Sequence, residues 1–236
     1  MTATLTAQDY AGHTLTPARS SFRRRAVGVT TVVGGLLVAA GFATTVWETG
    51  ESKLAYLDSL VVDPMQSQVA AVLLFFGYMG LTPMLLSFVA MTRSRARVLG
   101  NVAVAISWIP VLALPGLLVT DFYDLAIRQQ LPPDTAVVVS DAAQNLPLAA
   151  FLGGPTTMLA FVGMVVGAVA AWRAGFFHWA FALLVVVSVA MMVLPLGLQH
   201  DATANIASGA MLGLFMVAVG VSALRMSDRQ WATGER

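Results

Sequence analysis

The sequence contains no cysteine and only three histidines in 236 residues. The absence of cysteine excludes disulfides, thiolate metal sites, iron–sulfur clusters and thiol redox chemistry, including quinone-linked disulfide exchange. Three histidines, one of them (His13) in the polar N-terminal segment, argue against a di-haem protein. The chain therefore lacks the residues that most redox membrane proteins use.

Charged residues are also scarce, at 11% of the chain, whereas a soluble domain has roughly a quarter. They occur in short patches between apolar runs of about 20 residues, the length that crosses a hydrocarbon core of ~30 Å. Hydrophobic residues make up 58% of the chain, which is too much for a soluble protein of this size to bury. The sequence therefore predicts an all-α polytopic membrane protein, a six-transmembrane-helix bundle.

Two polar tails, residues 1–25 and 225–236, flank the predicted transmembrane domain, residues 26–224. The predicted spans cover approximately residues 26–47, 68–91, 99–120, 146–172, 177–198 and 205–224. A cleavable signal peptide is the alternative for the first span. Its apolar run of about 21 residues exceeds the 7–15 of a signal core, which favours a retained signal anchor.

All but two of the 13 Lys and Arg residues lie on one side of the predicted membrane, the exceptions being Lys53 and Arg128. The residues that set this topology are Arg23, Arg24, Arg25, Arg93, Arg95 and Arg97. Most acids lie on the opposite side. Because basic loops stay inside, both termini are predicted to be cytoplasmic in a multi-pass protein of the cytoplasmic membrane.

The two long external loops, residues 48–67 and 121–145, have helical patterns of their own. The spacing of Leu54, Leu57 and Leu60 predicts a short interfacial helix in the first loop. In the second loop, span three continues until Pro132-Pro133 breaks it, and a helix over 134–143 follows. Asp63 and Pro64 form a typical helix start for span two.

Small residues in the spans predict close helix packing, since lipid-embedded helices associate through backbone approach. The packing candidates are Gly163 and Gly167 in span four, and Gly209 and Gly213 in span six. Packing within one chain is favoured over a homo-oligomer interface. Around Pro155 two interpretations remain open: a proline kink packed against neighbours, or a broken helix that lines a cavity.

No Asp, Glu, Lys, Arg or His lies in the middle of a predicted span, which disfavours ion-coupled transporters and enzymes acting inside the bilayer. The candidate catalytic residues lie at the external helix ends: His200, Asp201, Asp121 and Asp124, with Glu48 and Glu51 nearby. They could form an acid–base pair or bind a divalent cation, although no spacing is typical of a metal site. The simpler interpretation is solvated helix ends, with Arg128 pairing with Asp124.

The sequence contains no phosphate loop, dinucleotide fingerprint or nucleophile motif, so no cofactor and no nucleic-acid partner are predicted. His178 lies among Phe176, Phe177 and Trp179, where an aromatic belt at the headgroups is expected rather than a haem site.

Four features together resemble a broad group of uncharacterised six-span membrane proteins of high-GC Gram-positive bacteria. They are Asp63-Pro64-Met65-Gln66, the Arg93/Arg95/Arg97 loop, Asp121 and Trp172-Arg173. The resemblance covers most of the chain and implies a bacterial membrane protein. It implies no reaction, because none is assigned to that group.

Two functional hypotheses follow. The first is a non-catalytic membrane component that binds or passes a small apolar molecule or lipid, alone or beside a transporter ATPase. The predicted inner loops are too short to supply the coupling helix of an ATP-driven exporter. The second hypothesis is an interfacial membrane enzyme that uses the acidic and histidine residues at the external helix ends.

Overall fold

The computed structural model describes residues 17–193 and 201–235. Within these ranges the chain forms α-helices joined by short turns, which confirms the all-helical prediction there. The elements are α1 (Pro17–Thr44), α2 (Lys53–Val62), α3 (Pro64–Met79), α4 (Leu81–Thr92), α5 (Arg97–Gln130), α6 (Pro133–Gln144), α7 (Pro147–Phe151), a π-helical turn (Leu152–Thr156), α8 (Thr157–Arg173), α9 (Trp179–Val193), α10 (Ala202–Arg225) and α11 (Asp228–Thr233).

Five helical segments are long and apolar enough to cross a membrane. They are Ser21–Thr44, Pro64–Thr92, Arg97–Gln130, Pro147–Arg173 and Ala202–Arg225. Large apolar side chains such as Leu36 and Trp108 are more than half exposed on their surfaces, as expected for contact with lipid. A multi-pass helical membrane protein is therefore supported, whereas the predicted fifth span, 177–198, remains a prediction. Its helix α9 has 15 residues, and residues 194–198 of that span lie outside the described ranges.

Several boundaries differ from the sequence prediction. The first helix begins at Pro17, so residues 17–25 are helical rather than part of a polar tail. The second span is two helices that meet at Gly80, where Pro83 has no amide hydrogen to donate to the carbonyl of Met79. The 34 residues of α5 extend to Gln130, which at 1.5 Å per residue gives about 50 Å and exceeds the hydrocarbon core.

Helices α1 and α10 pack closely against each other. A Cβ atom added to Gly213 would lie 2.5 Å from the carbonyl oxygen of Gly35 and 2.9 Å from the Cβ of Ala39. About two turns further along α10, a Cβ added to Gly220 would lie 2.7 Å from the carbonyl oxygen of Gly28. Only glycine permits backbones to approach this closely, so the pair depends on these positions.

Helix α4 lies among α1, α5, α8 and α10 and supplies the centre of the apolar core. Met84, Phe88 and Met91 are fully buried, and the ring of Phe88 lies 6.2 Å from that of Phe215. The other glycines that the sequence singled out also face neighbouring helices of the same chain. An added Cβ would meet Ser107 at Gly163, Phe88 at Gly167 and Phe42 at Gly209, each closer than 3 Å.

The arginine-rich end of the bundle, where Arg23–Arg25 and Arg93–Arg97 lie, is closed by α11. The sequence assigned this region to a polar tail, yet Ser227 and Gln230 cap α11 reciprocally, with both bonds between 2.8 and 3.1 Å. The side chain of Arg24 is largely buried and donates to Asp228 at 3.2 Å and to the carbonyl of Leu224 at 2.5 Å.

Two further bonds hold the last residues of the chain against the turn after α4. Arg93 donates to the carbonyl of Ala232, and Ser94 donates to that of Gly234. Gly234 has φ of 72°, a conformation that a side chain would strain, and an added Cβ would also meet Arg93 and Ala90. Arg24 and Arg93, chosen from the sequence as topology residues, thus also dock the C-terminal segment.

Candidate functional site

The opposite, acidic end of the bundle is covered by α2, the last turns of α5, and α6. Ser52 caps α2 by accepting from the amide of Ala55 at 3.1 Å, and Asp63 accepts from Gln66 at 3.0 Å to start α3. The predicted helices in both long loops and the Asp63-Pro64 start are therefore present. The Nε of Arg128 on α5 donates to the Oδ1 of Asp58 on α2 at 2.7 Å, which forms an ion pair between the two helices. The expected pairing of Arg128 with Asp124 is wrong, because Asp124 is buried among other partners.

Asp124 is the buried centre of this cap, with only 4% of its surface exposed. Its Oδ1 accepts from Ser140 at 2.5 Å, and its Oδ2 accepts from Gln144 at 3.1 Å and lies 3.2 Å from the Tyr56 hydroxyl. The ammonium of Lys53 is 3.7 Å from the same Oδ2. A buried carboxylate is tolerated only when it is paired and hydrogen-bonded, and Asp124 meets both conditions. It therefore joins α2, α5 and α6.

Asp121, one turn earlier on α5, has a different environment. Its Oδ1 accepts from the Tyr56 hydroxyl at 3.0 Å, so one phenol lies between two carboxylates. No donor among the described side chains and amides reaches its second oxygen within hydrogen-bond distance. Burial, and then the charges of Asp121 and Asp124, raise the pKa of Tyr56 far above its usual value, so the phenol stays protonated.

Three cavities surround this cluster. The acidic vestibule has a volume of about 440 Å³ and is lined by Glu48, Gly50, Glu51, Ser52, Lys53, Tyr56 and Gln144. The aromatic cavity, of about 280 Å³, lies between α1, α2 and α3, and its polar walls include Tyr56, Tyr78 and Asp121. The side groove, of about 1010 Å³, lies between α5 and the α7–π-helical segment, with Asp124 and Gln144 at one end. Asp121 thus lines the aromatic cavity and Asp124 the side groove, while Tyr56, which lies between them, lines the acidic vestibule.

The side groove changes character along its length. Leu112, Ala113 and Leu152 line its apolar part, whereas Asp141, Gln144 and Asn145 lie at the other end. An added Cβ at its glycines, Gly116, Gly153 and Gly154, would meet nothing within 4 Å. These glycines leave space rather than allow close packing.

The irregular segment around Pro155 forms one wall of this groove. Thr156 donates to the carbonyl of Phe151 at 2.9 Å and Thr157 to that of Leu152 at 3.4 Å, the wider spacing of a π-helical turn. The first of these bonds satisfies the carbonyl of Phe151, to which Pro155 has no N–H to donate. The helix runs from Pro147 to Arg173 through this turn without a break, yet Gly153 and Gly154 line the groove instead of packing against a neighbouring helix, so neither interpretation is fully right. Such π-helical interruptions occur often at functional sites.

The structure brings together only part of the predicted set of external residues. Asp121 and Asp124 meet at Tyr56, and Glu48 and Glu51 line the adjoining vestibule. Asp201 instead caps α10, accepting from the amide of Ala204 at 2.8 Å, and is exposed. His200 lies outside the described residues. Over the part of the chain that the structure describes, no group of three or more His, Asp or Glu side chains is arranged to hold a metal ion.

Sequence reasoning missed Tyr56, Ser140 and Gln144, the neutral partners of the two carboxylates. Tyr56 and Asp121 are 65 positions apart, and no local pattern connects α2 to the end of α5. The one signal available was helical spacing, because Ser140 and Gln144 are four residues apart on α6 and share a face.

Comparisons with protein-family models, with curated proteins and with solved structures found no match for the chain.

Proposed function

We propose that this protein is a six-span component of a bacterial cytoplasmic membrane, with both termini inside, that binds a lipid of the outer leaflet in the side groove. The groove carries this proposal, because it joins an apolar section to a polar end over the depth of one leaflet. From Leu112 to Ile127 it follows α5 for about 22 Å at 1.5 Å per residue. Half of a bilayer of ~40–45 Å with headgroups has the same depth.

The chemistry of the polar end indicates which headgroup would fit. Asp141, Gln144 and Asn145 offer a carboxylate and two amides, and no Lys or Arg lines the groove in the described chain. An anionic headgroup would meet a carboxylate without a compensating cation. A zwitterionic or uncharged headgroup suits the site better, with its acyl chain beside Leu112, Gly116 and Leu152. Lipid binding of this kind serves a non-catalytic role, alone or beside a transporter.

Photochemical labelling tests the proposal. The protein in nanodiscs is irradiated with a trace of phospholipid that carries a diazirine in its tail, and the labelled peptides are mapped. Labelling should concentrate on residues 112–117 and 149–154 and should decrease when unlabelled zwitterionic lipid is added in excess. Labelling spread over all exposed helix faces in proportion to their area, without such competition, would contradict lipid binding in the groove.

The proposed orientation has a separate test, made simple by the absence of native cysteine. Thr135→Cys lies on α6 at the acidic end, and Ala232→Cys lies on α11 at the arginine-rich end; both positions are exposed. In intact cells, a membrane-impermeant maleimide should label Thr135→Cys alone. Permeabilised cells should label both variants. Labelling of Ala232→Cys in intact cells would show that the orientation is the opposite of the one proposed.

An interfacial enzyme is the second candidate, favoured by the two carboxylates that share the Tyr56 hydroxyl. Only Asp121 retains an oxygen without a donor among the described residues, so it would be the acid–base group, with Tyr56 positioning it. A strain carrying Asp121→Asn should then lose the phenotype that depends on this protein, whereas Asp201→Asn should not. An unchanged phenotype in the Asp121→Asn strain would remove the enzyme hypothesis.

A further inference from the structure

The aromatic cavity is separate from the side groove, and the two share no lining residue. Its aromatic walls come from four side chains, Phe42, Trp47, Tyr56 and Tyr78, contributed by α1, the segment after it, α2 and α3. Its volume of about 280 Å³ lies just below the 300–1,000 Å³ typical of drug-sized ligands. A ligand that fits it is therefore smaller than a drug-sized molecule.

The polar groups on two of these aromatic walls are already engaged. The indole N–H of Trp47 donates to the carbonyl of Phe42 at 3.2 Å, and the hydroxyl of Tyr56 lies between Asp121 and Asp124. These two side chains thus have little capacity left to hydrogen-bond a ligand and offer it their rings. Aromatic faces attract cations electrostatically, and more strongly in a site shielded from water.

Asp121 supplies the opposite charge in the same cavity. Tyr56 occupies one of its oxygens, and the second has no donor among the described residues. A partly buried carboxylate with a free acceptor is stabilised by a ligand that brings both positive charge and an N–H donor. A protonated amine has both properties, whereas an alcohol lacks the charge and a quaternary ammonium lacks the donor.

The protein already places an ammonium group on the edge of this site. The Nζ of Lys53 lies 4.5 Å from the centre of the Tyr56 ring and 3.7 Å from Asp124. Lys53 lines the acidic vestibule, which shares Glu48 and Tyr56 with the aromatic cavity. A cation entering through the vestibule would pass Glu48 and Glu51 and would then compete with the charge of Lys53.

From these contacts we propose that the aromatic cavity binds a small protonated amine, with its ammonium on the free oxygen of Asp121 and its alkyl part against the aromatic walls. The site is independent of the lipid groove. Its selectivity rests on charge and on an N–H donor together. Lys53 lowers the affinity of the site for the amine.

Calorimetric titration of the full chain in nanodiscs tests this proposal with n-butylamine at neutral pH, where the amine is protonated. Butylammonium should bind saturably, whereas n-butanol, matched in chain length, should not. Tetramethylammonium should bind more weakly than butylammonium. Asp121→Asn should weaken butylammonium binding by about tenfold or more, because a charged hydrogen bond is replaced by a neutral one.

Two variants keep the test decisive if Asp121→Asn does not fold. Lys53→Gln removes the competing charge while keeping an N–H donor for Asp124, and it should tighten butylammonium binding several-fold, a gain that a merely destabilised protein would not show. Gly116→Leu, which fills the side groove, should leave amine binding unchanged. Equal heats for butylammonium and butanol, or unaltered affinity in folded Asp121→Asn, would overturn the proposal. Loss of binding in Gly116→Leu would assign the amine to the groove instead.

Discussion

The two ends of the bundle are closed in opposite ways. At the arginine-rich end, α4 fills the space between four helices, and α11 is fastened across it by Arg24 and Arg93. At the acidic end, α2, α6 and the extension of α5 form a cap that leaves three cavities around two carboxylates. The first end is held closed by buried side chains and ion pairs, with a cavity of about 260 Å³ beside α11, whereas the second has more and larger spaces next to buried polar groups.

Glycine has contrasting roles in the α1–α10 pair and in the side groove. Gly35 and Gly213 allow two backbones to touch, so a side chain at either position has no room. Gly116, Gly153 and Gly154 border open space, so a Cβ added at any of them would meet no protein atom within 4 Å and would project into the groove. The same residue type therefore marks rigid packing in one region and a cavity in the other, and substitutions can separate the two.

The largest expected effect is that of Gly213→Leu in the α1–α10 pair. The new side chain would meet the carbonyl of Gly35 and Ala39, forcing the helices apart and costing ~3 kcal/mol or more. Unfolding by titration with SDS, followed by circular dichroism, measures the loss. Gly116→Leu is the matched control and should stay within about 0.5 kcal/mol of the wild type. Similar losses in both variants would remove the distinction between the two kinds of glycine.

A smaller effect is expected for Arg24→Gln at the arginine-rich end. The substitution removes the charged bonds to Asp228 and to the carbonyl of Leu224. Since Asp228 is partly exposed, the expected cost is about 1–2 kcal/mol. The segment from residue 226 onward should become sensitive to limited proteolysis, whereas Arg23→Gln, at an exposed neighbouring position, should leave it protected. Equal protection in both variants would show that Arg24 does not fasten α11.

The smallest change in stability is expected for Tyr56→Phe at the acidic end. The variant keeps the ring but deprives Asp121 and Asp124 of their common donor, which should cost ~1 kcal/mol. Thermal unfolding in nanodiscs measures the shift, and Tyr123→Phe, at an exposed position of α5, is the control. A Tyr56→Phe protein as stable as this control would mean that the phenol does not hold the carboxylates together.

Much of the helical framework could be predicted from local patterns. Apolar runs of membrane length gave the long helices, and Asp63 with Pro64 gave the start of α3, because capping depends on adjacent residues. The spacing of Leu54, Leu57 and Leu60 gave α2 in the same way. These features are encoded within a few turns, so one sequence suffices to find them.

The features that make up the site depend on contacts between distant residues. Arg24 and Asp228 are separated by 204 positions, and Tyr56 and Asp124 by 68. No spacing rule relates such pairs, so the sequence predicts a polar tail where α11 forms and predicts Asp124 as the partner of Arg128. The side groove could not be predicted from the sequence either. The sequence does not distinguish glycines that line a cavity from the glycines that allow α1 and α10 to pack closely.

Lipid retention tests the central claim, that the side groove binds an outer-leaflet lipid, most directly. The full chain is purified in mild detergent from the same membranes as two variants on α5: Gly116→Leu in the groove and Ala105→Leu on an exposed face outside it. Native mass spectrometry then counts the phospholipid molecules that remain bound. The wild type and Ala105→Leu should each retain one lipid more than Gly116→Leu, and that lipid should be zwitterionic or uncharged. Equal retention in all three folded proteins would contradict the claim.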